Sequence, residues 1–368
     1  MDDAEALLRL ALVPGLGPIT AQRLIEAADG QPQQVLTWSM ARLQQVDGVG
    51  AERARRICDP RLGELAERER AECQTAGVRI IARGDADYPK DLEVLADPPL
   101  CLWVQGQLEA RDRLAIAVVG PRRPSAYGHR QAVRFAGSLA RIGATVVSGL
   151  ARGVDTAAHQ AAVEAKGRTL AVLGSGIGKL YPEENRALAD RIAAGHGAVL
   201  SEFPLRTSAS PGTFPRRNRI VAALSLATLV VEAGAQSGAL ITARLAGELG
   251  RGVLALPGNV DNPDSMGANR LIRDGAVLVT SMEDLLEEVA PLATLAKATP
   301  GEPEKDLRAQ SLTGRERQLY QLLDDQPRPI DDLVRIGQLP VSQVSATLLS
   351  LELRRLARKT PGGYVRAL

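Results

Sequence analysis

Between residues 77 and 289 the chain alternates short apolar runs with amphipathic stretches of helical period. The runs fall at 78–82, 100–104, 115–119, 144–147, 169–173, 198–200, 227–231, 253–256 and 276–279. Most are continuously apolar, where a strand with one wet face would alternate. Continuous runs are what strands buried on both faces require, so the pattern predicts a mostly parallel sheet flanked by helices. Nine runs exceed the six strands of a simple Rossmann unit, which makes this an α/β domain of extended Rossmann-like type.

The pattern changes on either side of this domain, and four segments are expected: 1–75, 76–290, a linker over 291–310, and 311–368. Residues 1–75 read as helices broken by glycine turns. Val13-Pro14-Gly15-Leu16-Gly17-Pro18 opens onto one helix and Val46-Asp47-Gly48-Val49-Gly50 onto another, a repeated helix-hairpin-helix or SAM-like signature. Hairpin glycines let backbone amides approach a phosphate. The same hairpins equally serve as a packing or protein-docking unit, and few basic residues surround the first. The linker is rich in Ala, Pro, Glu and Lys without periodicity. After it, helices at 314–323, 330–336 and 341–353, a strand at 356–360, a Pro-Gly-Gly turn and a strand at 364–366 give the order of a winged helix. Its would-be recognition helix, 341–353, carries Glu352 as its one charged group, so protein contact competes with groove binding.

Composition narrows the class. Aromatics make up 3% of 368 residues against 45% hydrophobic, so the core is aliphatic, as suits crossover helices on a sheet. Cys58, Cys73 and Cys101 are scattered without a CxxC pair, which argues for a reducing compartment and against a disulfide framework or zinc ribbon. The first residues are acidic where a secretory signal is basic, and the longest nearly apolar run, 220–231, is too short to span a bilayer. A cytoplasmic protein with no membrane partner is expected.

Net charge is only +2, yet residues 113–154 hold seven arginines and no Asp or Glu. A second acid-free stretch, 203–231, carries Arg206, Arg216, Arg217 and Arg219. Solvated faces usually mix signs, so two such blocks point to an extended polyanion. The loops after the predicted strands concentrate this charge where α/β sheets bind ligands. Gly120, Arg122, Arg123 and Ser125 follow the third run, with Ser125 a helix N-cap. Ser148, Gly149, Arg152 and Gly153 follow the fourth, with Asp155 placed to cap the next helix or orient Arg152. Lys179 and Tyr181 follow the fifth, and Asn185 lies just beyond. Arg216, Arg217, Asn218 and Arg219 open a helix after the sixth.

The loop Gly174-Ser175-Gly176-Ile177-Gly178-Lys179 imitates a nucleotide motif and fails it. A dinucleotide fingerprint needs glycine where Lys179 stands, and a Walker A loop needs Ser or Thr at Leu180. Its Lys179 and Tyr181 suit a phosphate and a stacked base instead, although a packing role for the Tyr-Pro turn fits the residues as well. His129, His159 and His196 are separated and without metal-ligand spacing. Glu202 and Glu232, at strand ends, suit the orientation of arginines better than acid/base work. No catalytic residue, metal or cofactor is expected.

The ordered motifs Gly120-Pro121-Arg122-Arg123-Pro124-Ser125-Ala126-Tyr127-Gly128, Ser148-Gly149-Leu150-Ala151-Arg152-Gly153-Val154-Asp155, Tyr181-Pro182-Glu183-Glu184-Asn185, Phe214-Pro215-Arg216-Arg217-Asn218-Arg219-Ile220 and Ser237-Gly238-Ala239-Leu240-Ile241-Thr242-Ala243 resemble those of the DNA-processing protein A (DprA, or Smf) family over about residues 88–276. Pro121 departs from the Ser or Thr common in the family. The resemblance implies a single-stranded DNA-binding protein of natural transformation that protects incoming DNA, loads RecA recombinase and works as a homodimer, with single-stranded DNA-binding protein as a further partner. It implies a DNA groove lined by the residues named above from Gly120 to Arg219. The competing class is a nucleotide phosphoribohydrolase of related fold. Its Pro-Gly-Gly-x-Gly-Thr stretch is missing, the comparable place reading Glu232-Ala233-Gly234-Ala235-Gln236-Ser237-Gly238. A scaffold that binds only through its terminal modules is the third class, and predicts an inert central domain.

Overall fold

In the computed structural model, residues 1–298, 312, 314–323, 327–354, 356–360 and 362–366 are described. The chain divides into two compact units, Met1–Thr299 and Pro300–Leu368.

The first unit opens with six helices: α1 (Asp3–Ala11), α2 (Pro18–Glu26), α3 (Pro32–Val35), α4 (Met40–Leu43), α5 (Ala51–Ile57) and α6 (Leu62–Thr75). Gly15 and Gly48 stand at φ 77° and 87°, the left-handed region that the hairpin turns demand. Arg56 of the second hairpin donates to the Pro14 carbonyl of the first at 2.8 Å, tying the two repeats together. Leu8, Leu10, Leu24, Val35, Leu43 and Ile57 fill the space between the helices. Their core runs on into the sheet, taking in Trp103, Leu173, Leu180 and Leu205, so the helical module and the α/β domain share one apolar cluster.

The α/β domain follows as β1 (Val78–Ala82), β2 (Cys101–Gly106), β3 (Ala115–Val119), α7 (Ala126–Arg141), β4 (Thr145–Ser148), α8 (Val154–Glu164), β5 (Arg168–Leu173), α9 (Arg186–Arg191), β6 (Gly197–Ser201), α10 (Thr213–Ala223), β7 (Ala227–Val230), α11 (Gly238–Glu248), β8 (Gly252–Ala255), α12 (Met266–Arg273), β9 (Val277–Leu278), α13 (Met282–Glu288) and α14 (Ala290–Ala298). All nine apolar runs are strands of one sheet, in the order β1-β2-β6-β5-β4-β3-β7-β8-β9. β1, β2 and β6 pair antiparallel, and every other pairing is parallel. Every residue of β3, β4 and β5 is buried, including the polar end residues Thr145, Ser148, Arg168 and Thr169, as strands covered on both faces require.

The chain steps outward from β3 through β4 and β5 to β6, then crosses back to place β7 on the other side of β3. The switch point, where a doubly wound sheet ordinarily holds its ligand, therefore lies between the loops that follow β3 and β7. One expectation is corrected here: α14 occupies the first residues of the supposed linker. Leu292 is fully buried and Leu295 packs beside it at helical spacing, a signal that the surrounding Ala and Pro content conceals. The remaining linker, 299–310, lies outside the described residues.

The second unit has its own core. α15 (Gly314–Gln321), α16 (Ile330–Gly337) and α17 (Val341–Leu353) precede the hairpin β10 (Ala357–Thr360) and β11 (Gly363–Arg366). Leu319, Leu333, Val344, Leu348 and Leu351 are fully buried among them, in the winged-helix order. α17 presents Val341, Leu349 and Leu353 to solvent and has no Lys or Arg.

Candidate nucleic-acid interface

The carboxyl ends of the parallel strands supply five loops, and the protein's own carboxylates occupy two of the seats where a small-molecule phosphate would sit. At the switch point Ser125 caps α7, accepting from Gly128 N at 3.1 Å. Buried Glu232, just past β7, accepts from the Ser125 backbone N at 2.8 Å and from its hydroxyl at 2.5 Å. A negative group thus already sits at the start of α7, where helix dipole and free N–H groups favour an anion. A Cβ on Gly128 would lie 2.4 Å from the Glu232 carboxylate, so glycine there makes room for it.

The β4 loop is filled in the same way. Asp155 accepts from the amides of Gly149 and Ala151 at 3.1 and 3.3 Å. Its burial raises its pKa, and the nearby Arg217 charge opposes that shift. Arg217 lies beneath the loop, donating to the carbonyls of Gly149 and Val172, and burial lowers its pKa below the usual guanidinium range. Gly149 is glycine because a Cβ would meet that guanidinium at 2.3 Å. Gly153, at φ 81°, similarly lies against the Pro121 and Arg122 backbone, and Gly120 against Val154. These three glycines serve close packing between loops, where the sequence suggested approach to phosphate.

The fifteen candidate residues separate into two sets. Ser148 donates to Val118 O at 2.7 Å, Asn185 to Leu150 O and Thr156 Oγ1 at 2.9 and 2.8 Å, and all three contacts are interior. Arg219 is buried, bonded to Glu202 and 3.3 Å from Asp97 without hydrogen-bonding angle. Asn218 accepts from Arg217 Nε at 3.1 Å. Arg216 pairs with Glu202 at 2.9 Å and lies 5.0 Å from the Phe203 ring centre, a third of its side chain still exposed. Glu202 therefore orients two arginines, as expected of it, whereas Glu232 orients a helix start.

Arg122, Arg123, Arg152, Lys179 and Tyr181 face solvent. Three of them converge with Phe214 in a shallow depression floored by Gly149 and Ala151. Here the side chains form a row. Arg122 stands 4.9 Å from the Phe214 ring centre, Phe214 6.0 Å from Tyr181 at 57°, and Arg152 5.7 Å from Tyr181. Cation, ring, ring and cation follow one another along one surface. Arg152 is engaged by Glu184 through Nε and Nη2, each at 2.6 Å, and this pairing raises its pKa. Arg122, Arg123 and Lys179 make no ion pair among the described residues. Phe214 was not among the sequence candidates, although it adjoins the Arg216–Arg219 cluster and is one of only three phenylalanines.

The interior also holds His159, whose Nδ1 lies 2.6 Å from Thr169 Oγ1. Because that hydroxyl donates to Val146 O, His159 must be the donor, and burial, reinforced by the Arg217 charge, pushes its pKa down to about 3. It is a neutral core residue. Among the described residues no cluster of His, Cys, Asp and Glu could hold a metal, and no helix is long and apolar enough to cross a membrane.

Comparison with known proteins bears on this surface. The family pattern "DNA recombination-mediator protein A" matches residues 79–290, a "DprA winged helix domain" matches 303–363, and a "SAM-like helix-hairpin-helix tandem" matches 5–60. Protein Smf of Escherichia coli (strain K12) is 42% identical over 282 residues, 76% of this chain and 75% of its own length. The crystal structure of DNA processing protein A from Streptococcus pneumoniae superposes with a TM-score of 0.65 at 34% identity, covering 78% of this chain and 98% of that one. DNA processing protein A from Helicobacter pylori, whose structure is described for its single-stranded DNA binding mode, gives 0.52 at 29% identity over 58% and 96%. With its Rossmann-like sheet, its helix-hairpin-helix module and its winged helix, the chain belongs to the DNA recombination-mediator protein A (DprA/Smf) family.

Proposed function

We propose that this protein binds single-stranded DNA along the carboxyl ends of β3 to β6, with Arg122, Arg123, Arg152 and Lys179 on phosphates and Phe214 and Tyr181 under bases. The observation that carries this is the row in which Arg122 and Arg152 flank the adjacent rings of Phe214 and Tyr181. Stacking needs unpaired bases with free faces, and every base has such a face, so an aromatic row flanked by guanidiniums favours single strands without strong sequence preference. A duplex offers only its phosphates to such a row. The single-stranded DNA binding mode described for the Helicobacter pylori relative supports the same ligand class. In this reading Arg217, Arg219, Ser148 and Asn185 act from inside, holding the loops that carry the row.

We place this activity in DNA recombination, in line with the family. The protein would act in the cytoplasm as a homodimer during natural transformation, protecting incoming single strands and delivering them to RecA, with single-stranded DNA-binding protein as a further partner. The phosphoribohydrolase alternative is disfavoured by Glu232, which fills the switch-point seat that a nucleotide phosphate would need.

The test is fluorescence anisotropy of labelled oligothymidine and of duplex DNA, titrated with the full chain over a range of salt. Binding should prefer the single strand and weaken steeply with salt. Arg122→Ala/Arg152→Ala should weaken it and flatten the log–log salt slope by about 1.4, at roughly 0.7 per lost phosphate contact on a single strand. Unchanged affinity in that folded double variant would refute the assignment.

A further inference from the structure

We infer that Glu69, on the last helix of the N-terminal module, is a positioning residue for the DNA-binding row, so that this module forms part of the DNA site without touching DNA. The inference rests on the proposed single-strand reading and extends it to a residue remote from the row.

Glu69 lies on α6, and its Oε1 gathers donors from two elements of the α/β domain. Trp103 Nε1 of β2 donates to it at 2.8 Å, and the backbone N of Leu205, in the loop after β6, at 2.6 Å. One turn further on, Glu72 accepts from Arg206 Nε at 2.5 Å. Two successive residues of the β6 loop are thereby fixed to one face of α6. Carboxylates make the stronger class of acceptor, and Trp103 is fully buried, so its N–H has no water to fall back on.

That loop in turn holds the next one. Gly178 N donates to Leu205 O at 2.9 Å and Gly176 N to Thr207 O at 2.8 Å. A Cβ on Gly176 would sit 2.1 Å from Pro204 O, so the two loops lie backbone against backbone. Lys179 N closes the following turn on Gly176 O at 2.9 Å, and Tyr181 is two residues on. At its other end the β6 loop leads into α10 and Phe214. A continuous set of bonds thus runs from Glu69 through Leu205 to Gly176 and Gly178, with Lys179 and Tyr181 on one side and Phe214 on the other. The apolar cluster follows the same route, joining α6 residues Leu62, Ala66 and Cys73 to Leu205, Ile177 and Leu180. Glu69 needs only to accept hydrogen bonds in this role, and its charge is not required for DNA affinity.

The experiment compares wild type, Glu69→Ala, Glu69→Gln and Glu72→Ala as full chains. Oligothymidine affinity is read by anisotropy, and amide exchange by mass spectrometry over residues 174–181 and 203–208. Glu69→Ala removes two hydrogen bonds and should accelerate exchange in both segments; part of that loss reaches the row and should weaken DNA binding about ten-fold. Glu69→Gln keeps an acceptor oxygen and should restore both readouts to near wild type. Glu72→Ala removes the surface pairs to Arg206 and, within α6, to Arg68, and leaves the buried bonds intact. It should loosen 203–208 and weaken binding about two-fold, which keeps the test open if Glu69→Ala does not fold. Wild-type affinity and wild-type exchange in either folded alanine variant would overturn the inference, as would a Glu69→Gln protein as impaired as Glu69→Ala. Failure of the single-strand reading itself shows separately, as wild-type protein that does not bind oligothymidine while the exchange changes remain.

Discussion

Replacing Glu232 by alanine tests whether its carboxylate substitutes for a ligand phosphate at the switch point. The carboxylate is buried and takes two hydrogen bonds from Ser125, at 2.8 Å from N and 2.5 Å from Oγ. Each bond to a charged acceptor is worth roughly 1.5–3 kcal/mol net, and the start of α7 adds about 0.3–1 kcal/mol. Losing the buried charge returns part of its desolvation cost, so the expected destabilisation is about 3–5 kcal/mol. Urea unfolding at fixed pH measures it. The vacated site should then accept inorganic phosphate: with a dissociation constant of about 10 mM, 100 mM phosphate restores about 1.4 kcal/mol. Phosphate also stabilises proteins generally, so the gain is taken relative to wild type at matched ionic strength. A loss below about 1 kcal/mol, or a phosphate gain equal to that of wild type, would refute the reasoning.

Other consequences are as direct. Phe214→Leu should cost about 1–3 kcal/mol of single-strand affinity while leaving the salt slope unchanged, since a stacking surface is lost and no cation is removed. Glu184→Gln frees Arg152 from a bidentate partner and should tighten oligothymidine binding about two- to five-fold; the same change in an Arg152→Gln background should do less, and equal tightening in both would reveal only a long-range charge effect. The His159 pKa, pushed to about 3, lies below the unfolded value near 6.5, so the unfolded chain binds the extra proton as pH falls. Stability from this group is complete above the unfolded pKa and lost on acidification, about 2 kcal/mol between pH 7 and 5. His159→Asn should lose that increment of pH dependence in urea unfolding, whatever its own stability.

The sheet was legible because its physics is local. A strand buried on both faces must be continuously apolar, and residues 115–119 accordingly form β3 without adjustment. The edge strand β9 retains only two of the four residues expected over 276–279, since an edge needs less of that pattern. The candidate surface was legible only as charge. Arg216, Arg217 and Arg219 look equivalent in sequence, yet one is a third exposed and two are buried. What separates them is the position of their acceptors: Gly149 O lies 68 residues away in the chain and Glu202 is shared by Arg216 and Arg219. No spacing rule carries that information.

The acid-free stretches mislead for a related reason. Residues 113–154 lack carboxylates in sequence, but Asp155 reaches back into the β4 loop and Glu232 crosses from β7 to the start of α7. Both sites nearest the switch point are therefore filled by carboxylates from outside the stretch, one adjoining it and one 107 residues from its partner. The cations without an ion pair among the described residues, Arg122, Arg123 and Lys179, instead lie over β3 to β5, beside the exposed Tyr181 ring and the half-buried Phe214 ring. An enclosed seat with one charge complement suits a mononucleotide. An open row of cations and rings, each too weak to hold a small anion alone, gains affinity only from a ligand long enough to meet several at once. In the proposed reading, Glu232 at the start of α7 and Asp155 in the β4 loop also remove the competition that free nucleotides would otherwise offer to a strand of DNA.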